Sequence, residues 1–311
     1  MDTLLSVSHV SYSYHTLSGE TPALSDITFS VKEGEFLSIV GPSGCGKSTL
    51  LSLLASLMEP ESGTIILRGN PLAPHTANIG YMLQKDHLFE WRTVYRNIVL
   101  GLEIQKKMTP AYLHHVDQLM EAYGLWAFRN SRPSELSGGM RQRAALIRTL
   151  ALDPELLLLD EPFSALDYQT RLTVCDDVRQ IIRQEKKTAI LVTHDLSEAI
   201  SMADRVLVLS RRPATIHLDL PTIFEDQTLS PMNRRQAPEF QGYFNQIWKE
   251  LNHHEWNKSP SVCLLKEAPA APSSGTVLTD SWMHSLSGSL GDQHPSVLDR
   301  LLHLQQPFRN P

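Results

Sequence analysis

The stretch GPSGCGKST, residues 41–49, determines the fold that we expect for this chain. It meets the pattern G-x-x-x-x-G-K-[ST], and it lies between FLSIV, which is typical of a buried strand, and LLSLLASLM, which is typical of a helix. Its glycines let the backbone turn with N–H groups pointing inward, and the start of the helix adds the positive end of a dipole. The stretch therefore predicts a loop that wraps a polyphosphate, the alternative being an ordinary glycine-rich turn.

The side chains of this loop suit a nucleoside triphosphate and its Mg²⁺ ion. We expect Lys47 to hold the β- and γ-phosphates, Ser48 to supply a hydroxyl to Mg²⁺ and Thr49 to reach a phosphate oxygen. Cys45 is interpreted as a small space-filling residue, the alternative being a thiol whose pKa is lowered by the helix end and Lys47. The predicted nucleotide-binding residues of the loop are Gly41, Pro42, Ser43, Gly44, Cys45, Gly46, Lys47, Ser48 and Thr49.

Length and composition indicate a globular protein with one main α/β domain. The chain has 311 residues, of which 41% are hydrophobic and 20% charged. Its start, MDTLLSVSHV, argues against a secretory signal, and no run approaches the roughly 18 apolar residues of a membrane helix. A net charge of −6 disfavours nucleic acid as the main ligand. We expect a cytoplasmic protein whose membrane role, if it has one, comes through a partner.

Two strands are predicted before the loop. They span residues 4–14 and 24–31, with a polar turn through 18–22 between them. Tyr12 and Tyr14 alternate with serines, so both fall on one face of the first strand, where an aromatic ring could stack on adenine. The alternative is that both rings only pack against the core.

Strands are predicted at 64–69 and 77–84 after the loop, the second ending in Gln84. The segment KDHLFEWRTVYRN follows and mixes charge with Phe89 and Trp91. It is either a surface loop with buried aromatic anchors or a docking site for another protein. Helices are predicted from Thr93 onward and from about Pro110 to Tyr123.

The stretch LSGGMRQR, residues 136–143, predicts a second helix start that could bind an anion. Ser137 is a natural N-cap, and Gly138 and Gly139 leave backbone N–H groups uncovered. The alternative is a simple helix cap.

Two acids follow a run of four leucines in LLLLDE, residues 156–161. The leucines predict a buried strand, so Asp160 and Glu161 would stand at its carboxyl end beside the phosphate loop. One acid can hold Mg²⁺ and the next can orient water. Downstream, Asp167 is expected to start a helix that runs to about Gln184, and TAILVTHD predicts a strand that ends in His194.

Taken in order, these motifs resemble those of the ATP-binding subunits of ABC transporters, over about residues 4–250. The corresponding motifs are the Walker A loop at 41–49, the Q-loop at Gln84, the signature motif at 136–143, Walker B at 156–161, the D-loop at 164–167 and the switch histidine at His194. The resemblance implies an α/β fold in which a P-loop NTPase (RecA-like) core carries an antiparallel β subdomain and an inserted α-helical subdomain at about 90–150. It implies one ABC ATP-binding domain over 1–250.

The resemblance also implies a role for each motif residue. Glu161 would polarise the attacking water, His194 would contact the γ-phosphate and Gln84 would sense Mg²⁺ and water. Tyr14 would stack on adenine, with Tyr12 as the weaker alternative. The implied magnesium ligands are Ser48, Gln84 and Asp160. The signature residues Ser137, Gly138 and Gly139 would bind ATP, and Asp167 would communicate across a dimer.

The partners implied are a second copy of the chain, arranged head to tail with two ATP molecules between the copies, and separate transmembrane permease subunits. A periplasmic or lipid-anchored solute-binding protein would act indirectly, and the chain would be peripheral at the cytoplasmic face of the membrane. The segment DHLFEWRTVYRNI resembles that of nitrate, sulfonate and taurine importers, although Glu90 stands where they have proline. Pyrimidine precursors as cargo, or a soluble ABC ATPase outside transport, are the alternatives.

The last part of the chain differs from the rest in its sequence pattern and composition. A helix over 238–251 is expected to pack its apolar residues on the core, and these are Phe240, Phe244, Ile247, Trp248 and Leu251. Residues 251–311 are interpreted as an extension, largely disordered, because from about Asn257 serine, proline, glycine and alanine dominate. The segment VLDRLLHL, 297–304, could instead bind a partner.

Deletion of residues 259–311 is predicted to leave ATPase activity within about twofold of the full chain, because disordered segments contribute little to a packed core. Steady-state phosphate release from the two purified proteins measures this. A loss of about tenfold or more would assign the extension a structural or regulatory role.

Overall fold

The computed structural model describes residues 2–17, 19–73 and 78–256 of the chain, with side chains to 252. Its strands are β1 (Thr3–Thr16), β2 (Gly19–Lys32), β3 (Phe36–Val40), β4 (Ser62–Leu67), β5 (Asn70–Pro71), β6 (Ile79–Met82), β7 (Leu156–Asp160), β8 (Thr188–Val192), β9 (Arg205–Leu209) and β10 (Ile216–Pro221). Its helices are α1 (Lys47–Leu54), α2 (Val94–Ile98), α3 (Leu100–Ile104), α4 (Pro110–Ala122), α5 (Gly138–Leu150), α6 (Tyr168–Gln184), α7 (Leu196–Met202), α8 (Pro231–Arg234) and α9 (Pro238–Trp256).

The larger sheet carries the functional motifs at one edge. Its strand order is β10-β9-β3-β8-β7-β6, with parallel pairing from β9 to β6 and β10 antiparallel at the side. Parallel strands end at a common edge, so the loop after Val40, the acids after Leu159 and the residues after Val192 come together. This edge is where the sequence places the phosphate loop, the two acids and the histidine.

The leucine run of β7 is explained by burial on both faces. Leu156 and Leu158 enter the core that contains α1 and the smaller sheet, whereas Leu157 and Leu159 enter the core formed with α5, α6 and α7. A central parallel strand covered on both sides has no polar face, so its sequence does not alternate. The four leucines are fully buried, as predicted.

The smaller sheet is antiparallel, with strand order β2-β1-β4-β5. The predicted turn over 18–22 is wrong, because β2 already begins at Gly19, where it pairs with Thr16. Pairing of His15 with Glu20 and of Tyr14 with Thr21 continues the hairpin through that polar stretch. Polar residues can occupy these positions because this end of the hairpin is largely exposed.

Two strands end earlier than predicted. β6 stops at Met82, so Gln84 lies beyond it, and β8 stops at Val192, two residues before His194. After β8, the Thr193 hydroxyl donates to Glu198 at 2.7 Å and accepts from the Asp195 N–H at 3.1 Å, which turns the chain into α7. Both functional side chains therefore stand in loops, outside the ladder of the sheet.

The helix starts at the functional motifs are as predicted. Ser137 caps α5, its hydroxyl accepting from the Met140 N–H at 3.3 Å. Asp167 caps α6 by accepting from the Thr170 N–H at 3.1 Å, and α6 ends at Gln184. Helices α2 to α5 fill residues 94–150, the span in which the resemblance implies a helical subdomain.

The terminal helix α9 is only partly a core helix. Ile247 is fully buried, and Phe240, Phe244 and Leu251 pack against the core from the side. Trp248 is 56% exposed, so the prediction that it is a core residue is wrong. Its ring stacks on Phe244, with centroids 6.1 Å apart, instead of entering the core. The extension is predicted to begin at residue 251, but α9 continues to Trp256, so the predicted boundary is wrong. Residues 257–311 lie outside the described residues. Within the described part of the chain, no helix combines the length and apolar composition that crossing a membrane requires.

Ile247→Ala is predicted to lower the free energy of unfolding by about 2 to 5 kcal/mol, the cost of a cavity in a packed site. Trp248→Ala, at the next residue and about 100° around the helix, is exposed. It is the matched control and should cost less than about 1.5 kcal/mol. Denaturant titration of both variants measures the difference, and equal losses would contradict this description of the helix.

Candidate functional site

A cavity of about 550 Å³ opens at the carboxyl edge of the larger sheet, a size that suits a nucleotide. It joins the phosphate loop to the smaller sheet on one side and to the loops after β7 and β8 on the other. Its lining residues are Tyr14, Ala23, Ser43, Gly44, Gly46, Lys47, Ser48, Thr49, Glu161, His194 and Arg212. The structure thus brings together most of the predicted loop residues with two of the three predicted catalytic residues.

The loop has its shape because of glycine. Gly44 and Gly46 adopt φ angles of 72° and 123°, a region that side chains strongly disfavour. A Cβ at Gly46 would also stand 2.9 Å from Leu24 Cδ2 and 3.1 Å from the carbonyl oxygen of Ala23. The loop is therefore pressed against β2, and α1 begins directly afterwards at Lys47.

Lys47 is a buried cation that forms no ion pair with another described residue. The residue is 7% exposed. Its Nζ donates to the carbonyl oxygens of Gly41 at 2.8 Å and Pro42 at 3.0 Å. Among the described residues, no carboxylate lies within ion-pair distance of it. Burying an unpaired charge is costly unless an ionic partner arrives, so the cavity fits a phosphate group.

Cys45 is buried, and burial raises the pKa of its thiol. This favours the space-filling interpretation, because a raised pKa keeps the sulfur protonated and unreactive. A Cβ at Gly41 would stand 2.9 Å from its Sγ, which shows how closely the thiol is packed.

Tyr14 forms the aromatic side of the cavity. Its hydroxyl shares a 2.9 Å hydrogen bond with Thr49 Oγ1, and the guanidinium of Arg212 lies 5.7 Å from its ring centroid. Tyr12 does not line the cavity, but it contacts the Tyr14 ring edge-on at 5.2 Å. Tyr14 therefore presents its ring to the cavity, whereas Tyr12 packs behind Tyr14.

Glu161 is the point on which the other polar side chains converge. Its Oε2 lies 3.2 Å from His194 Nδ1 and accepts from Gln84 Nε2 at 3.3 Å. Gln84 also donates to Ser164 Oγ at 3.3 Å. The three residues predicted to be catalytic therefore form one cluster, although they come from three separate loops.

The backbone at Glu161 is strained. Its φ angle is 44°, a left-handed conformation in which a residue with a side chain costs of the order of 1 to 3 kcal/mol. Two hydrogen bonds hold this conformation: the Glu161 N–H donates to the Val192 carbonyl at 2.8 Å, and Ser164 Oγ donates to the Glu161 carbonyl at 3.0 Å. These bonds orient the carboxylate.

Asp160 is half-buried and accepts a hydrogen bond at Oδ2 from the Tyr81 hydroxyl, at 3.2 Å. Burial raises the pKa of this carboxyl, although the Tyr81 bond and the charge of Lys47 oppose the shift. With Ser48 and Gln84 it offers hydroxyl, amide and carboxylate oxygens, the donors that Mg²⁺ prefers. The side chains present therefore fit this ion.

The signature residues are not part of this cavity. Ser137 and Gly138 are exposed, and Gly139 packs so closely that a Cβ there would stand 2.9 Å from Val174 Cγ2. Within the described chain, none of the three lines the cavity with the phosphate loop. One copy of the chain presents the two predicted phosphate-binding elements separately.

Three residues of the site were missed by the sequence analysis. Tyr81 and Ala23 carry no motif signal, since their roles depend on which strands lie side by side. Arg212 belongs to the basic pair after β9 and donates to the Pro22 carbonyl at 2.9 Å, which brings it over Tyr14. This contact depends on residue 212 lying beside β2 in the fold, which the sequence does not show.

The family match and the similar proteins point to the same family. Residues 24–164 match the family described as "ABC transporter". The uncharacterized ABC transporter ATP-binding protein YtlC of Bacillus subtilis (strain 168) is 46% identical over 81% of this chain and 97% of its own length. The taurine import ATP-binding protein TauB of Jannaschia sp. (strain CCS1) is 38% identical over 81% and 93%. The aliphatic sulfonates import ATP-binding protein SsuB of Bacillus licheniformis is 40% identical over 76% and 89%.

Solved structures agree with the sequence comparison. A dimeric post-hydrolysis state of the ATP-binding cassette MJ0796 bound to ADP and phosphate superposes with a TM-score of 0.60 at 27% identity, covering 71% of this chain and 99% of that one. A second dimeric structure of the same cassette gives 0.61 at 28% identity. The predicted P-loop NTPase fold is confirmed, and the chain belongs to the ABC transporter family as one of its ATP-binding subunits.

Proposed function

We propose that this chain hydrolyses ATP with Glu161 as the group that orients water, at a site completed by a second copy, and thereby energises import of a small anion. The observation that carries the proposal is the convergence of His194 and Gln84 on the Glu161 carboxylate, at the mouth of a cavity lined by the phosphate loop. The names of the relatives support import, because two of them are import ATP-binding proteins for taurine and aliphatic sulfonates.

The chemistry needs positioning and charge stabilisation more than covalent participation. Lys47 would contact the β- and γ-phosphates with an ammonium that has no other ionic partner in the described chain. Ser48, Gln84 and Asp160 would hold Mg²⁺, which supplies neutralisation of the phosphate charge when bound. Gln84 and His194 both contact the Oε2 atom of Glu161, which leaves its other oxygen available to orient a water molecule while the two side chains keep the carboxylate in place.

A shared site follows from the placement of the signature helix. Ser137 and Gly138 are exposed at the start of α5, where unpaired N–H groups and the dipole favour an anion. They can meet a phosphate only if the nucleotide of a second copy is brought to them. A head-to-tail homodimer with two ATP molecules satisfies both copies, and the dimeric state of the solved relative supports it.

Docking on permease subunits would use the segment from Gln84 to Asn97. Trp91 is 71% exposed and contacts Phe89, with ring centroids 4.6 Å apart. Buried Asn97 holds the segment, because its Oδ1 accepts from the Phe89 N–H at 2.7 Å and its Nδ2 donates to the Phe89 carbonyl at 3.1 Å. An exposed tryptophan that contacts a half-buried phenylalanine on a braced loop is typical of protein interfaces.

Glu90, which departs from the importer pattern, forms an ion pair with Arg141 of the signature helix at 2.9 Å. Arg141 also binds Asp86 at 2.8 Å. The segment that would dock on a permease is thus tied to α5, which would let docking influence the signature residues.

We infer that the cargo is a small organic or inorganic anion such as nitrate, a sulfonate or taurine, with a pyrimidine precursor as the alternative. A periplasmic or lipid-anchored solute-binding protein would select it, and this chain would be peripheral at the cytoplasmic face of the membrane. A soluble ABC ATPase outside transport is the second candidate function. The Phe89–Trp91 pair, in which Trp91 is exposed and Phe89 is half-buried, favours the transporter.

Glu161→Gln is predicted to lower turnover by about 10²- to 10⁴-fold while ATP binding persists, because the amide keeps the shape of the carboxylate but is not a base. Blocked hydrolysis should also trap an ATP-dependent dimer. Phosphate release and light scattering, each with and without Mg-ATP, measure the two effects.

The matched control adds Ser137→Arg to the same chain, which places bulk and charge where the signature helix would meet phosphate. This double variant should stay monomeric with Mg-ATP. Parental turnover in Glu161→Gln, or equal dimerisation of the double variant, would show that the shared-site mechanism is wrong.

Replacing Phe89 and Trp91 by alanine together is predicted to weaken co-purification with the permease subunits at least about tenfold, since aromatic anchors dominate interface energies. Trp248→Ala is the control, because that tryptophan is also exposed but lies on α9. Pull-down from detergent-solubilised membranes is the measurement, with ATP binding as the check of folding. Retained co-purification in the double variant, or an equal loss in the control, would count against this docking surface.

A further inference from the structure

A second cavity, of about 420 Å³, lies at the opposite edge of the larger sheet from the nucleotide site. Its walls come from Gly34 before β3, the last turns of α6, Asp204 before β9 and the segment 222–234 after β10. These positions stand at the amino ends of the parallel strands. The five-residue strand β3, roughly 16 Å long at about 3.3 Å per residue, therefore separates the two cavities.

The charged lining of this cavity is mostly cationic. Its charged residues are Arg179, Arg183, Lys186, Lys187, Arg234 and Asp204. Lys187 is paired with Asp153, and Arg179 is paired with Asp204 at 2.6 Å. Arg183 and Lys186 are exposed, and in the described ranges no carboxylate lies within ion-pair distance of either. The cavity thus holds more positive charge than its own residues compensate.

Both oxygens of Asp204, the carboxylate among the charged lining residues named above, accept hydrogen bonds. Asp204 accepts from Arg179 through Oδ1, and from the Phe36 N–H through Oδ2 at 2.9 Å. The strand start at Phe36 and the guanidinium of Arg179 therefore occupy both of its oxygens. No further carboxylate lines the cavity in the described part of the chain.

Arg234 is the least expected of these cations. It is 5% exposed, its Nη1 donates to the Ala203 carbonyl at 2.9 Å, and its guanidinium lies 5.0 Å from the Phe224 ring centroid. Within the described residues it has no ion pair, and its Nε has no hydrogen-bond partner. A buried charge that has no ion pair and an unsatisfied N–H group is costly.

The arginines also repel one another. Burial lowers the pKa of both Arg179 and Arg234, Asp204 offsets part of the effect, and the nearby charge of Arg183 adds to it. The dipole of α6 accounts for Arg183 in its last turn and for Lys186 just beyond its end. It does not account for Arg234, which belongs to a different helix.

We propose that this cavity binds a small molecule that carries a phosphate group. Guanidinium groups match phosphate oxygens in paired hydrogen bonds, and the volume is in the range of small-ligand pockets. Ile223, which is 63% exposed among the lining residues, offers apolar contact to an organic remainder. The site uses none of the residues assigned to ATP, so it is independent of the proposed function.

The test is calorimetric titration of the full chain with phenyl phosphate and with inorganic phosphate. Because phosphate could also enter the nucleotide cavity, the titration is repeated in Lys47→Ala, where binding should persist. Replacing Arg183 and Lys186 by glutamine together should weaken binding at least about tenfold, and Arg234→Met should do the same. Lys249→Gln, an exposed cation on α9, is the control and should bind as the parent does.

Absence of binding in the parent chain, at phosphate concentrations up to about 10 mM, would overturn the proposal. So would binding that is lost in Lys47→Ala but retained when Arg183 and Lys186 are replaced. Since those two side chains are exposed, their variant should fold even if Arg234→Met does not. Tighter binding of phenyl phosphate assigns the site to an organic phosphate, and equal binding assigns it to inorganic phosphate.

Discussion

The register of three neighbouring strands is the constraint on which the nucleotide site depends. β8 pairs with β3 on one side and β7 on the other, so that Val192 stands opposite both Ile39 and Asp160. The three strands therefore end at the same level of the sheet, and the residues that follow them form one cluster. A slip of one residue would send each side chain to the other face of the sheet and separate Glu161 from the phosphate loop.

Local strain follows from this arrangement. The chain must turn sharply after Asp160 for the Glu161 carboxylate to face His194 and Gln84, and its φ of 44° is the consequence. The surroundings stabilise the turn with backbone bonds to β8 and with Ser164. The buried ammonium of Lys47, which forms no ion pair within the described ranges, is a second cost at the same edge. Both features are destabilising in isolation, and in the proposed mechanism both would prepare the site to receive an anion and a water molecule.

The sequence predicted those parts of the molecule whose causes are local. The phosphate loop, the caps at Ser137 and Asp167, and the buried leucine strand each depend on residues that are adjacent in the chain. Side chains whose roles depend on long-range contacts were missed, as Arg212 and Tyr81 show. Trp248 was misassigned because periodicity gives the face of a helix but not how far the neighbouring surface extends. The cationic cavity was invisible for the same reason, since its residues come from segments far apart in the sequence.

The close approach of Gly139 to α6 has a mechanical consequence. A Cβ at this position would stand 2.9 Å from Val174 and 3.4 Å from Thr170, so any larger residue would force the start of α5 away from α6. Ser137, which caps α5, and Asp167, which caps α6, are therefore spaced by a packing contact that only glycine allows. A side chain at 139 would change the distance between these two caps without altering either of them.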